Sequence, residues 1–183
     1  MNKDIITLIK SDYLRYGKKP TFINIFRDLL LNKNHCFTYS FWFRMCKSNG
    51  LLQYLSRYNH RKLSRKYGMH IPYKTKIGYG LYLGHGTGII INESAVIGDN
   101  CNLSQFTTIG SNHNKAAVIG NNVYIGPSVC IVEDIKIGNN VTIGAGTVVV
   151  KDIPENATIV GVPSKIVSYE NPGRYIGNKY VSV

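Results

Sequence analysis

From Ile71 to Val149 an aliphatic residue returns every six positions. The series runs Ile71, Ile77, Leu83, then Ile91, Ile97, Leu103, Ile109, then Ile119, Ile125, Ile131, Ile137, Ile143, Val149. Two extra residues precede Ile91 and four precede Ile119. Glycine follows the aliphatic in eight of the thirteen units, and most units place a small or β-branched residue four positions on, as at Thr75, Thr87, Ala95, Cys101 and Val123. A period of six fits neither an α-helix nor a simple hairpin meander. It describes one short strand and one turn per unit, with the aliphatic pointing inward and glycine or asparagine in the turn. Arrays of this kind predict a parallel β-helix, in which each coil buries the face of the next. At three units per triangular coil, the series makes a little over four coils.

The first seventy residues lack this beat and read as four helices. "KDIITLIKSDYLRYG" sets Ile5, Ile6, Ile9 and Tyr13 on one face. "PTFINIFRDLLLN" follows with Thr21 as its cap, "HCFTYSFWFRMCKS" is stopped by Asn49-Gly50, and "LLQYLSRYNHRKLSRKYG" is closed by Gly68. The expected organisation is a helical region over 1–69, a β-helix over 70–168 and a tail over 169–183. Charge divides the same way. Residues 1–70 hold 14 Lys+Arg against 3 Asp, whereas residues 71–183 hold 8 against 7 acids. Arg57, Arg61 and Arg65 fall at i, i+4, i+8 and form a cationic stripe, a spacing that costs a few tenths of a kcal/mol per like-charged pair. A solvated face accounts for the stripe. So does contact with anionic lipid headgroups or with a phosphate-bearing substrate. No nucleic-acid-binding motif accompanies it.

The densest apolar patch, "CFTYSFWF", is too short to span a bilayer. The N-terminus has no signal-peptide h-region. The expected location is the cytoplasm, with the basic region placed to meet the inner membrane surface. Cys36, Cys46, Cys101 and Cys130 form no CxxC and read as free thiols, and no metal is expected.

The stretch "KIGYGLYLGHGTGIIINESAVIGDNCNLSQFTTIG" (Lys76 to Gly110) resembles the hexapeptide-repeat acyltransferases, in particular their serine acetyltransferase branch. "GHGTG" stands for that branch's "DHATG", "NESAVIG" for "GETAVIG", and "SQFTTIG" for its glutamine before "TLG". The resemblance covers roughly residues 68–168. It implies a left-handed parallel β-helix, a homotrimer, and acetyl-CoA as co-substrate in the groove between neighbouring chains.

The branch's catalytic histidine maps onto His85. Acetyl transfer from a thioester to an alcohol needs the hydroxyl deprotonated as it attacks. A neutral imidazole, with an ordinary pKa of about 6.5, suits that task. The bland alternative is a polar residue carried in a turn. Glu93 and Gln105 match acceptor-side positions of the pattern.

Three departures stand beside these matches. The aspartate that orients the histidine, fifteen positions earlier, is His70 here. The aspartate just before the histidine is Gly84. The substrate-gripping Arg-His loop is the short "SNHNKAA" (Ser111 to Ala117), where His113 and Lys115 partly replace the lost pair. A free amino acid's carboxylate favours a fork-shaped arginine partner. The departures therefore suggest a sugar hydroxyl of a surface polysaccharide as acceptor, with serine O-acetylation as the alternative. A zinc-dependent or purely scaffolding β-helix and an N-acetyltransferase are the remaining readings. The zinc version needs three histidines, of which only His85, His113 and His70 are candidates.

"IGNNVYIGPSVCI" and "IGAGTVVVKDIPENATIVGVPSKIV" resemble the family's acetyl-CoA end. By position, Gly126, Pro127 and Ala145 line the pantetheine. Val150, Lys151 and Lys165 meet the cofactor, with the lysines toward its phosphates. Ordinary solvated surface is the plain reading of both lysines.

Overall fold

The computed structural model describes residues 3–113 and 115–181. Asn114 of the short loop and the last two residues of the tail lie outside them. Four helices come first: α1 (Lys3–Leu14), α2 (Phe22–Leu30), α3 (His35–Met45) and α4 (Leu51–Tyr67). Their ends follow the sequence. Thr21 caps α2 by accepting from the Asn24 amide, Asn34 caps α3 by accepting from Phe37, and Gly68 closes α4 in the left-handed region at φ 62°. Ile5, Ile9 and Tyr13 pack with Ile25, Phe37 and Met45 into a small helical core.

Fourteen strands follow among the described residues: β1 (Lys76–Ile77), β2 (Tyr82–Gly84), β3 (Ile90–Ile91), β4 (Val96–Ile97), β5 (Asn102–Ser104), β6 (Thr108–Gly110), β7 (Val118–Ile119), β8 (Tyr124–Ile125), β9 (Cys130–Val132), β10 (Lys136–Ile137), β11 (Thr142–Ile143), β12 (Val148–Val149), β13 (Thr158–Val160) and β14 (Lys165–Ser168). They form three sheets. The first holds β1-β4-β7-β10, the second β2-β5-β8-β11-β13-β14, and the third β3-β6-β9-β12. All pairings between coils are parallel and in register, so Ile97 lies over Ile77 and Ile119 over Ile97. Only the closing β14 runs antiparallel, against β13. This is a parallel β-helix with helices at its N-terminal end.

All thirteen aliphatics of the repeat are buried. At about 1.5–3 kcal/mol for each such side chain, they dominate the stability of the solenoid. One inward place differs from the simple count. Thr87, four positions after Leu83, is exposed, and Ile89 fills the core there at 0% exposure. The two-residue slip causes this by adding His85 and Gly86 to the turn, the first exposed and the second buried. The four-residue slip does the same later, leaving Ala116 and Ala117 inside and Asn112, His113 and Lys115 outside. The glycines of the turns between first and second sheets are required sterically. A Cβ on Gly98 meets the Gly120 carbonyl carbon of the next coil at 2.7 Å.

The helices dock on the first coils through buried polar contacts. Arg44 binds both Asp12 oxygens, at 2.9 and 3.0 Å, and donates to the carbonyls of Ile77 and Gly78. Asp12 also accepts from the Leu81 amide. Arg15 reaches the Gly80 and Gly177 carbonyls and Asn102. The tail runs back along the same corner, where Asn100 exchanges two hydrogen bonds with Tyr180 and Asn102 donates to the Tyr175 carbonyl.

Candidate active site

His85 sits in the turn from the second sheet to the third, and three helices hold that turn. Tyr16 of the segment after α1 bonds both the Leu83 amide and carbonyl through its hydroxyl. The Cys36 thiol of α3 accepts from the Gly86 amide at 3.1 Å, and a Cβ on Gly86 would meet that sulfur at 3.0 Å. The Tyr67 carbonyl at the end of α4 accepts from Gly88. The backbone of Gly86 is thus pinned inward while the His85 ring is exposed. His85 itself takes φ 55°, a left-handed conformation uncommon for a residue with a side chain. Phe106 and Ser128 hold positive φ at the regular corner position of later coils, but His85 lies in the inserted pair. Positive φ at an inserted histidine held by three helices sets this turn apart from the regular corners.

The corner continues upward from this turn. Phe106 donates to the Thr87 carbonyl, Ser128 to that of Gln105, and Gly146 to that of Pro127. His85, Gln105, Gly126, Pro127 and Ala145 therefore line one edge of the solenoid. The Gln105 side-chain oxygen is buried and has no partner among the described residues. Gly126 is buried tightly, since a Cβ there would lie 2.8 Å from the Ile143 carbonyl oxygen. Small side chains at Gly144, Ala145 and Gly146 leave the backbone of this edge approachable.

The other predicted residues occupy the opposite edge of the third sheet, in its turns back to the first. Glu93, His113, Lys115, Val150 and Lys151 are all exposed there. His113 Nε2 lies 3.8 Å from Glu133, whose carboxylate also accepts from the Ser111 hydroxyl at 2.7 Å. That hydroxyl, with the Asn112 amide and His113, holds the Glu133 carboxyl below the usual carboxylate range. Glu93 faces Lys74 at 3.6 Å. Lys165 begins β14, where it pairs with Val160. Between the edges lies the outer face of the third sheet, with Ile90, Thr108, Cys130 and Val148 directed outward. His70 stands at the foot of this sheet, its backbone paired with Ile90. Among the described residues, no hydrogen bond joins His70 to His85. The two edges are separated by the width of a short strand, on the order of 10–15 Å.

Sequence reasoning missed Cys36, Tyr16 and Glu133. Glu133 was findable, because it follows the position that pairs with Gly110, one coil above the loop. The clamps by Tyr16 and Cys36 depend on how the helices dock, which no local pattern encodes. Among the described residues, no three His, Cys, Asp or Glu side chains gather as a metal site.

A solenoid of six-residue units with an inserted histidine defines the class, and comparison with known proteins narrows it. The "Bacterial transferase hexapeptide (six repeats)" family matches residues 116–151. The chain is 34% identical over 154 residues to the chloroplastic serine acetyltransferase 1 of Arabidopsis thaliana, covering 77% of this chain and 49% of that protein. The structure of Neisseria gonorrhoeae serine acetyltransferase in complex with serine superposes with a TM-score of 0.72 at 30% identity, over 91% of this chain and 70% of that one. The coenzyme A complex of serine acetyltransferase from Brucella abortus superposes with a TM-score of 0.68 at 27% identity, over 88% and 66%. The chain spans about half the length of the curated relatives it matches. It belongs to the hexapeptide-repeat acyltransferases, in their serine acetyltransferase-like branch.

These relatives correct the expectation of a sugar acceptor in polysaccharide synthesis. They are serine acetyltransferases, which favours the alternative reading. The physical reason is that an acceptor pocket is specified by its whole lining. Single missing charges at Gly84, His70 and the 111–117 loop do not by themselves define a different acceptor.

Proposed function

We propose that the protein is an O-acetyltransferase that moves the acetyl group of acetyl-CoA to the hydroxyl of L-serine. The observation that carries this reading is the strained, helix-clamped turn at His85, placed in a chain whose relatives are serine acetyltransferases. In this reading neutral His85 takes the hydroxyl proton as the serine oxygen attacks the thioester carbonyl. The Gly86 and Gly88 amides of the turn are engaged by Cys36 and Tyr67, which leaves the His85 and Thr87 N–H groups for the tetrahedral oxyanion. Collapse expels the CoA thiolate, which recovers the proton from His85, leaving O-acetylserine and CoA. The approachable edge at Gly126, Pro127 and Ala145 suits the pantetheine arm. Lys165 and Lys151 are exposed cations without ion pairs among the described residues, and they suit its phosphates.

The working unit in this proposal is a homotrimer. His85 and the His113–Glu133 pair stand on opposite edges of one chain, so a neighbouring copy is needed to bring both to one acceptor. His70 is in this reading a positioning residue in place of a carboxylate. Contact with a membrane surface is a further part of the proposal. α2 presents Phe22, Ile23, Phe26 and Leu30 to solvent within the basic region, and co-sedimentation with anionic vesicles tests it. No helix among the described residues is long and apolar enough to cross a membrane.

The deciding experiment is thiol release from acetyl-CoA with L-serine. Saturable turnover is expected, with a loss of at least about 100-fold in His85→Ala while circular dichroism stays unchanged. Near-normal turnover by that variant sinks the mechanism, and absence of turnover with serine sinks the acceptor.

A further inference from the structure

The cationic stripe of α4 is uneven: Arg57 is half-buried, whereas Arg61 and Arg65 are exposed. Arg57, His60, Arg61 and Ser64 fall at i, i+3, i+4, i+7, so they share one side of the helix. That side faces His70 and Tyr73 across a cleft of about 280 Å³ at the foot of the β-helix. The volume suits a phosphate or an amino acid and is small for a nucleotide.

Two nitrogens in this cleft want partners. The Arg57 Nε and the His60 Nε2 are both buried and make no hydrogen bond among the described residues. His60 is 8% exposed, wedged between the rings of Tyr39 at 4.8 Å and Phe43 at 5.9 Å. The Arg57 guanidinium lies 4.4 Å from the centre of the Tyr73 ring, which fixes the plane of its fork. No carboxylate answers Arg57 or Arg61 within ion-pair distance among the described residues. The one acid at the rim, Glu93, is engaged with Lys74. Buried polar atoms are almost always satisfied, and an orphaned pair beside two unanswered guanidinium groups calls for an acceptor-only ligand.

We propose that this cleft binds an oxyanion, the carboxylate or phosphate of a small molecule. Arg57 and Arg61 hold it by their forks and His60 by its ring N–H. The site is built from α4 and the first turn of the solenoid, and it does not depend on the acetyl-transfer reading. His70 lines this cleft, so an anion held here sits against the residue that stands where the branch keeps an acid.

Isothermal titration of the full-length protein with inorganic phosphate, with acetate and with L-serine tests this directly. At least one of the three is expected to bind with a Kd below about 10 mM. The double variant Arg57→Gln/Arg61→Gln should weaken it by at least about tenfold. Arg65→Gln, one turn further along and outside the cleft, should leave it unchanged. Binding of serine with acetate assigns the carboxylate of an amino acid, and binding of phosphate alone assigns a phosphorylated ligand. If the double variant misfolds, imidazole spectra of the wild-type protein decide, because the His60 signal must move with the same Kd. No binding by any of the three, equal binding by the double variant, or an unmoved His60 signal overturns the proposal.

Discussion

The helical region and the β-helix hold themselves together by different means. In the β-helix, one aliphatic per six residues is stacked on its equals above and below, and nearly all charge stays outside. In the helical region a fully buried ion pair, Asp12 with Arg44, ties α1 and α3 to the first coil. The first design is repetitive, so its contacts lie between neighbouring coils. The second is made of single contacts such as Asp12–Arg44, 32 positions apart, and Arg15–Gly177, 162 apart. The turn at His85 stands where the two meet, built by the solenoid and pinned by the helices.

The largest expected effect breaks the single-contact design. Arg44→Met leaves Asp12 buried without its partner, and such a loss costs about 3–5 kcal/mol. Urea unfolding should register it. Hydrogen exchange should show protection lost first in α1, α3 and residues 76–84, with the coils from β7 onward unaffected, as expected of a repeat array. Uniform loss along the solenoid would refute the division into two designs.

Next in size is the effect of mixing subunits. His85→Ala and His113→Ala are each expected to lower turnover strongly. Random reassembly of the two after unfolding should restore about a quarter of the sites, if His85 of one chain works with His113 of the next. No recovery in mixed trimers would place both residues in one chain's site, against the two-edge arrangement.

A smaller effect separates the regions by pH. Burial, with some repulsion from His70, pushes the His60 ring down to about 4. An exposed imidazole titrates at about 6.5. Between these values the unfolded chain takes up a proton that the folded one refuses. Stability is therefore fully present above about pH 6.5 and falls as pH drops toward 4, by on the order of 2–3 kcal/mol. His60→Leu should remove that part of the slope in urea melts at pH 7 and 4.5. An unchanged slope would show that His60 does not carry it.

The two regions also differed in how far the sequence revealed them. Period six marked the inward row from Ile71 to Val149 because each unit repeats one local rule. It also placed both slips, and the first of them carries His85. Helix ends were legible at Thr21 and Gly68 for the same local reason. The docking of Cys36 on Gly86, and of Arg44 on Asp12, was not. A thiol accepting from a backbone amide fifty residues away leaves no pattern in either segment. Gln105 and Pro127 could be set on the edge of His85 from spacing alone. That His113 stands on the other edge needed the three-sheet geometry.

The smallest effect tests that geometry at one atom. The branch keeps an aspartate where this chain has Gly84, and the structure has room for it. A Cβ on Gly84 would find its nearest neighbours at 3.5 Å, on the Tyr82 ring, and at 3.8 Å, on the Leu103 carbonyl oxygen. Both are ordinary contacts, and the backbone there lies outside the left-handed region. Gly84→Asp should therefore fold normally. If serine is the acceptor, the new carboxylate beside His85 meets its ammonium group. A partly exposed charged hydrogen bond of about 1 kcal/mol lowers the KM for serine several-fold with little change in kcat. An acceptor without an ammonium group gains nothing from that carboxylate. A KM for serine that stays put, in a variant with wild-type stability, would mean that the acceptor's amine lies elsewhere than over Gly84.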